Sequence, residues 1–340
     1  MSATRTTRIA FSQRGQSAGD TAGRGRTVMQ KDFLSILDFE PSDLRRCLDL
    51  AADLRLDRVA RRALPRKRSL AGAHVALLFE KPSLRTRSTF EIAIRELGGE
   101  VIEPNRESAF GSRESLADVA RNLERWVSCA VLRTFDHRVL AEFASVAPRL
   151  HVVNALSDQE HPCQALADML TLRDQWSTLA GRRVAFVGDG NNVATSLTHA
   201  AAMLGVTVHL ANPAGYELPD QRIEEARAVA SDGCRIERFD DPRDAVRDVD
   251  AIYTDTWTSM GQESTAEERR RVFAPYQVNA ELMSLAPGAL FMHCLPAHRG
   301  EEVTDEVIDS AASVVFDQAE NRLHTQKALL VMLLADEVAC

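Results

Sequence analysis

Short apolar runs alternate with stretches whose apolar residues recur every three or four positions along almost the whole chain. The runs predict strands at residues 74–79, 129–133, 151–154, 183–188, 207–211, 250–254, 289–293 and 313–316. Between them lie helical patterns. Phe90, Ile92, Ala93 and Leu97 are spaced for one buried helix face that Gly98 stops, and Thr195, Leu197, Ala200 and Leu204 do the same ahead of Gly205. Strand–helix alternation calls for parallel sheets with helices on both faces. The expected architecture is therefore α/β, with two doubly wound parallel-sheet domains. The first covers residues 29–158 and the second 159–317. A last helix from about Gln318 (residues 318–340) returns to the first domain. Such sheets bind ligands outside the carboxyl ends of their strands, which directs attention to the residues following each run.

Composition narrows the function classes. Apolar residues make up 45% of the 340, enough for ordinary cores. No apolar run approaches the roughly 20 residues of a membrane span. A net charge of −8 argues against an extended nucleic-acid face, so any phosphate chemistry should rest on a few arginines aimed at one small anion. The six cysteines, Cys47, Cys129, Cys163, Cys234, Cys294 and Cys340, include no C-x-x-C pair. Neither a zinc site nor a redox pair is expected, and scattered thiols fit a reducing cytosol. Residues 1–28 carry five arginines and a single acid, Asp20, with no apolar stretch. They read as a disordered extension, or as the result of a start assigned ahead of Met29. The alternative is a mitochondrial transit peptide.

Polar clusters collect just after the predicted strands. Lys81-Pro82-Ser83-Leu84-Arg85-Thr86-Arg87 combines hydroxyls and guanidiniums at a strand-to-helix turn, where helix N–H groups suit a phosphate; a capped helix with solvated arginines has the same composition. Arg133 ends its strand. His161-Pro162-Cys163-Gln164 opens a helix, with Pro in the first turn, and could polarise a carbonyl and hold an amide, or merely cap. Gly188-Asp189-Gly190-Asn191-Asn192 looks like a dinucleotide fingerprint, yet the next strand ends Ala211-Asn212-Pro213, without the acid that would hold a ribose. Asp255 stands at a strand end ahead of Ser259-Met260-Gly261, a candidate lid or a plain surface loop. His293-Cys294-Leu295-Pro296 follows another strand, and Arg322, His324 and Lys327 share the last helix.

Taken together, Ser83-Leu84-Arg85-Thr86-Arg87, His161-Pro162-Cys163-Gln164 and the His293–Pro296 turn resemble the aspartate/ornithine carbamoyltransferase family, over residues 29–334. Phe79-Glu80-Lys81, Gly188 to Asn192, Asp255 with Ser259-Met260-Gly261, and His293-Cys294-Leu295-Pro296 resemble its ornithine branch. The resemblance implies that the first domain binds carbamoyl phosphate and the second ornithine. Ser83, Leu84, Arg85 and Thr86 would hold the phosphate together with Arg322. Arg133 and His161 would act on the carbonyl oxygen. Pro162, Cys163, Gln164, Cys294 and Leu295 would complete that site, with Gln164 and the Leu295 carbonyl on the carbamoyl NH2. Asn192, Asp255, Ser259 and Met260 would bind ornithine, with Asp255 on its α-ammonium and Cys294 beside the attacking amine. The resemblance also implies a homotrimer or a multiple of trimers, acting on small molecules without metal or organic cofactor. The expected compartment is the cytoplasm, or the mitochondrial matrix if the leader is a transit peptide. Two positions depart from the family pattern. Leu84 stands where Thr is common, and Ala109 where a Gln before the Gly at 111 is common; Ser112 or Arg113 would have to substitute. The rival readings are a carbamoyltransferase for another amine, an inactive paralogue and a dinucleotide-dependent oxidoreductase.

Overall fold

A computed structural model of the chain describes residues 30–60, 69–110, 113–258 and 263–338. The leader, Ser112, Ser259, Met260, Gly261 and Cys340 lie outside the described residues. Two sheets form, and every strand pairing is parallel. Strands β1 (His74–Phe79), β2 (Glu100–Ile102), β3 (Cys129–Arg133) and β4 (His151–Leu156) make a sheet of order β2-β1-β3-β4. Strands β5 (Arg183–Val187), β6 (Thr207–Ala211), β7 (Ile236–Phe239), β8 (Ala251–Thr254) and β9 (Leu290–His293) make a second, of order β7-β6-β5-β8-β9. Strand order reverses between β1 and β3 in the first sheet and between β5 and β8 in the second. A crevice opens at the carboxyl ends of the strands at such a reversal.

Alternation along the strands puts side chains into different cores. Val75, Leu77, Cys129 and Val131 face one core, while Ala76, Leu78, Ala130 and Leu132 face another. In the second sheet Val184 and Phe186 join the core that holds Val75 and Leu77, and Ala185 and Val187 turn to a third. One apolar core therefore runs beneath both sheets. Among the helices packed into it are α1 (Pro41–Ala60), α2 (Leu84–Glu96) and α3 (Pro162–Trp176). Helix α3 is buried on all sides from Pro162 to Leu172, which is why its sequence lacks an amphipathic stripe. Helix α4 (Asn192–Met203) is likewise buried from Val193 onward. The long α5 (Val315–Val338) packs across α1, α2 and α3.

The structure corrects the sequence reading in three places. Residues 313–316 are not a strand: Ser313 makes one bridge to Phe291, α5 begins at Val315, and Phe316 is exposed. Strands β2 and β7 were not anticipated; both are short edge strands carrying charged residues such as Glu100, Glu237 and Arg238. Ile92 is 39% exposed, and Ile94 takes the buried place beside Phe90 and Ala93. Ile94 is four residues from Phe90, on the same helix face, whereas Ile92 points away. Gly98 and Gly205 do stop their helices, with φ of +87° and +76°.

Candidate active site

The cleft is built from the ends of strands in both sheets. At the end of β1 the Glu80 carboxylate accepts from the Thr134 hydroxyl and the Phe135 N–H, both at 2.9 Å, which ties the β1 and β3 ends together around Arg133. The Lys81 ammonium sits 4.0 Å from the centroid of the Phe135 ring. Ser83 caps α2 by accepting from the Thr86 N–H at 3.3 Å. Arg85, on the first turn, lines the cleft; Arg87 turns outward to an exposed ion pair with Glu103. Leu84 is 79% exposed at the cleft mouth.

Buried Arg133 and Arg322 face Arg85 here. The Arg322 Nη2 group donates to the Thr86 hydroxyl at 3.1 Å and Nη1 to Gln164 Oε1 at 2.6 Å. The Nε groups of both buried arginines and Nδ1 of His161 are buried without a hydrogen-bond partner. Burial, then the nearby Arg322 and Arg85, lower the Arg133 pKa to about 10. Burial first, with Arg322 and Arg133 behind it, holds the His161 pKa well below its usual value, so the imidazole is neutral. The backbone holding His161 is firmly set: its N–H donates to Ser196 Oγ at 2.9 Å, and that hydroxyl donates to buried Glu160 at 2.8 Å.

The opposite wall comes from the second sheet. Gly188 has φ +134°, and a Cβ on Gly190 would lie 2.2 Å from the Leu218 nitrogen. Gly188 supplies the positive φ and Gly190 lets the loop approach the Glu217–Leu218 backbone, which accounts for the Gly-x-Gly pattern without a pyrophosphate. Asp189 pairs with buried Arg269, whose Nε also donates to the Trp257 carbonyl. Asn191 caps α4 and donates through Nδ2 to Asp255 Oδ2 at 2.9 Å, while Asn192 Nδ2 donates to the Ser157 carbonyl at 2.6 Å. The Cys294 thiol donates to Asp255 Oδ1 at 3.0 Å. Burial and the Asp255 carboxylate push that thiol's pKa well up, so it stays protonated. Leu295 adopts φ +56°, a strained conformation for a branched residue, held by its N–H donating to His293 Nδ1 at 2.8 Å. His293 Nε2 meets buried Glu302 at 3.1 Å. Donor atoms of Asp255, His293 and Cys294 lie within 4.8 Å of one another, but each is engaged in these protein bonds.

Both walls enclose one cleft of about 530 Å³. Ser83, Leu84, Arg85, Thr86, Arg133, His161, Asn192, Asp255, Cys294, Leu295 and Arg322 line it. Gln164 stands behind Arg322. Pro162 and Cys163 do not reach the wall; the Cys163 thiol donates to the Asn154 carbonyl at 3.4 Å. Ala109 is buried in a helix, Arg106–Phe110, and Arg113 is exposed. Asn191, Ser157 and Lys81 also line the cleft and were not assigned to it from sequence. Asn191 was the most findable, since a second Asn at a helix start can cap and still reach a strand-end carboxylate.

Comparison with known proteins fits this layout. The family model described as aspartate/ornithine carbamoyltransferase, carbamoyl-P binding domain, matches residues 31–174, and the Asp/Orn binding domain model matches 180–333. The chain belongs to the aspartate/ornithine carbamoyltransferase family. Within this family it is 51% identical over 312 residues to an ornithine carbamoyltransferase of Acidothermus cellulolyticus, covering 90% of this chain and 97% of the relative. It is 46% identical over 308 residues to a Pyrococcus furiosus protein named as an anabolic ornithine carbamoyltransferase, covering 89% and 96%. A solved ornithine carbamoyltransferase structure from Pyrococcus furiosus superposes with a TM-score of 0.85 at 46% identity, covering 89% of this chain and 96% of that one.

Proposed function

We propose that this carbamoyltransferase moves the carbamoyl group of carbamoyl phosphate to the side-chain amine of L-ornithine, giving L-citrulline and phosphate in arginine biosynthesis. The observation that carries this reading is a single cleft with Arg85, Arg133 and Arg322 on one wall and the Asp255–Cys294 pair on the other. Three guanidiniums facing one another suit a phosphate dianion. The carboxylate suits the α-ammonium of an amino acid.

The chemistry is addition of an amine to a carbonyl, followed by loss of phosphate. The ornithine side-chain amine resembles Lys, with a free pKa near ~10.4, and must be neutral to attack. A strongly positive cleft favours that neutral form. As its nitrogen bonds to the carbamoyl carbon, negative charge grows on the oxygen, where Arg133 and neutral His161 donate hydrogen bonds. The carbon–oxygen bond to phosphate then breaks, and the departing phosphate takes the proton released by the amine. Gln164 and the Leu295 carbonyl hold the carbamoyl NH2. Asn192, Ser259 and Met260 bind ornithine beside Asp255. Protonated Cys294 positions the amine and does not form a covalent bond to substrate. No step assigned to these residues uses a metal or organic cofactor. We further propose a cytoplasmic homotrimer or multiple of trimers, with residues 29–158 and the returning segment 318–340 as the carbamoyl phosphate-binding unit and 159–317 as the ornithine-binding unit.

The test is citrulline formation from carbamoyl phosphate with a panel of amines. Ornithine should be carbamoylated in preference to putrescine, aspartate and N-acetylornithine. Preference for any of these others would overturn the substrate assignment.

A further inference from the structure

Asp168 lies on α3 one turn after Gln164, is fully buried and lines no part of the cleft. Its Oδ1 accepts from Gln164 Nε2 at 2.8 Å and from Gln318 Nε2 at 2.9 Å, and its Oδ2 accepts from the Tyr253 hydroxyl at 3.2 Å. We infer that Asp168 is a positioning residue that makes the site select an NH2 group on the acyl carbon, by fixing which end of the Gln164 amide meets Arg322 on the cleft side. This rests on the carbamoyl phosphate reading above.

The side-chain amide of Gln164 has a donor end and an acceptor end of nearly the same shape. A carboxylate only accepts and a guanidinium only donates. With Asp168 on one side and Arg322 Nη1 at 2.6 Å on the other, a single amide orientation satisfies both. Gln164 Oε1 is thereby held against Arg322, directly behind the lining of the cleft. One of its two lone pairs takes Arg322, and the second is free to accept an N–H from a carbamoyl group. A methyl group in that place, as in acetyl phosphate, would leave the buried oxygen unpaired against substrate, a penalty on which sites discriminate strongly. None of the groups hydrogen-bonded to Asp168 is a cation, and its pKa rises to about 6, chiefly through burial. The protein thus keeps a charged acceptor here despite an unfavourable environment. The same carboxylate also reaches the other wall: Tyr253 is two residues before Asp255, and Gln318 Oε1 accepts from the N–H of His293, next to Cys294, at 3.0 Å.

The experiment compares the wild type with Asp168→Ala, Asp168→Ser and Asp168→Asn. It measures the KM for carbamoyl phosphate in citrulline formation and the Ki of acetyl phosphate and of inorganic phosphate as competitors. In the Ala and Ser variants the preference for carbamoyl over acetyl phosphate should fall about tenfold or more, while the phosphate Ki moves less than about threefold. The Ser variant, whose hydroxyl and a water fill the space, serves if the Ala variant does not fold. Asn still offers a carbonyl to both glutamines, so Asp168→Asn should restore the preference to within about threefold of wild type. Equal changes in all three constants, no change in the Ala and Ser variants, or an Asn variant as unselective as Ala would overturn the inference. A wild type that makes no citrulline would instead overturn the reading of the site.

Discussion

On the wall formed by the β1 and β3 ends, Arg85, Arg133 and Arg322 converge, and the two buried ones keep Nε groups with no partner in the protein. On the wall formed by the β8 and β9 ends, one carboxylate, Asp255, already accepts from Asn191 and Cys294. The first wall gathers like charges that burial makes costly, so its geometry gains most when an anion arrives. The second is satisfied by its own neighbours, so a substrate ammonium adds to or replaces hydrogen bonds that exist. Damage to the first wall should therefore appear mainly in rate, and damage to the second mainly in recognition of the amine.

The largest expected effect is on the first wall. Arg133→Ala should lower kcat by on the order of 10²–10³, because it removes a donor to the developing oxyanion. A kcat within about tenfold of wild type would take Arg133 out of that role. Next, Asp255→Asn should weaken the kcat/KM for ornithine on the order of 10²-fold, while carbamoyl phosphate binding measured by calorimetry stays close to wild type. Equal losses for both substrates would dissolve the distinction between the walls.

Behind the cleft lining lies Asp168, whose pKa is raised from 3.8 to about 6. The folded chain then binds more protons at this group than the unfolded chain between about pH 4 and 6, so this contribution falls as pH rises through that window and is flat above it. Asp168→Asn mimics the protonated form. Relative to wild type it should gain about 2 kcal/mol between pH 4 and pH 7.5, read from urea unfolding at both pH values. A constant difference would contradict the burial penalty. The smallest effect is expected at Arg87, whose partner is the exposed Glu103. Arg87→Ala should leave kcat and both KM values within about twofold; a hundredfold loss would place Arg87 in the cleft.

Much of this arrangement was legible in the sequence because it sits at strand ends. Phe79, Arg133, Thr254 and His293 end their strands where the apolar runs end, and polar residues beyond them fall into the crevice by topology. What the pattern could not separate was direction around a helix start. Arg85 and Arg87 look alike in sequence, yet the helix turn sends one to the cleft and the other to Glu103. Asn191 and Asn192 posed the same difficulty. Asp168 was invisible because a lone acid inside a helix normally marks a solvated face; only the packing of α3 on every side reveals it as buried. Residues 313–316 read as a strand because Val314 and Val315 are apolar, but one is the approach to α5 and the other its first residue.

The most direct measurement is a crystal structure of the protein with a stable compound that joins a phosphonate to the side-chain nitrogen of ornithine. The phosphonate should lie among Arg85, Arg133 and Arg322 while the α-ammonium meets Asp255 across the same cleft. Density for the phosphonate elsewhere, or an amino-acid moiety that never approaches Asp255, would contradict the convergence of the two sheets on one reaction site.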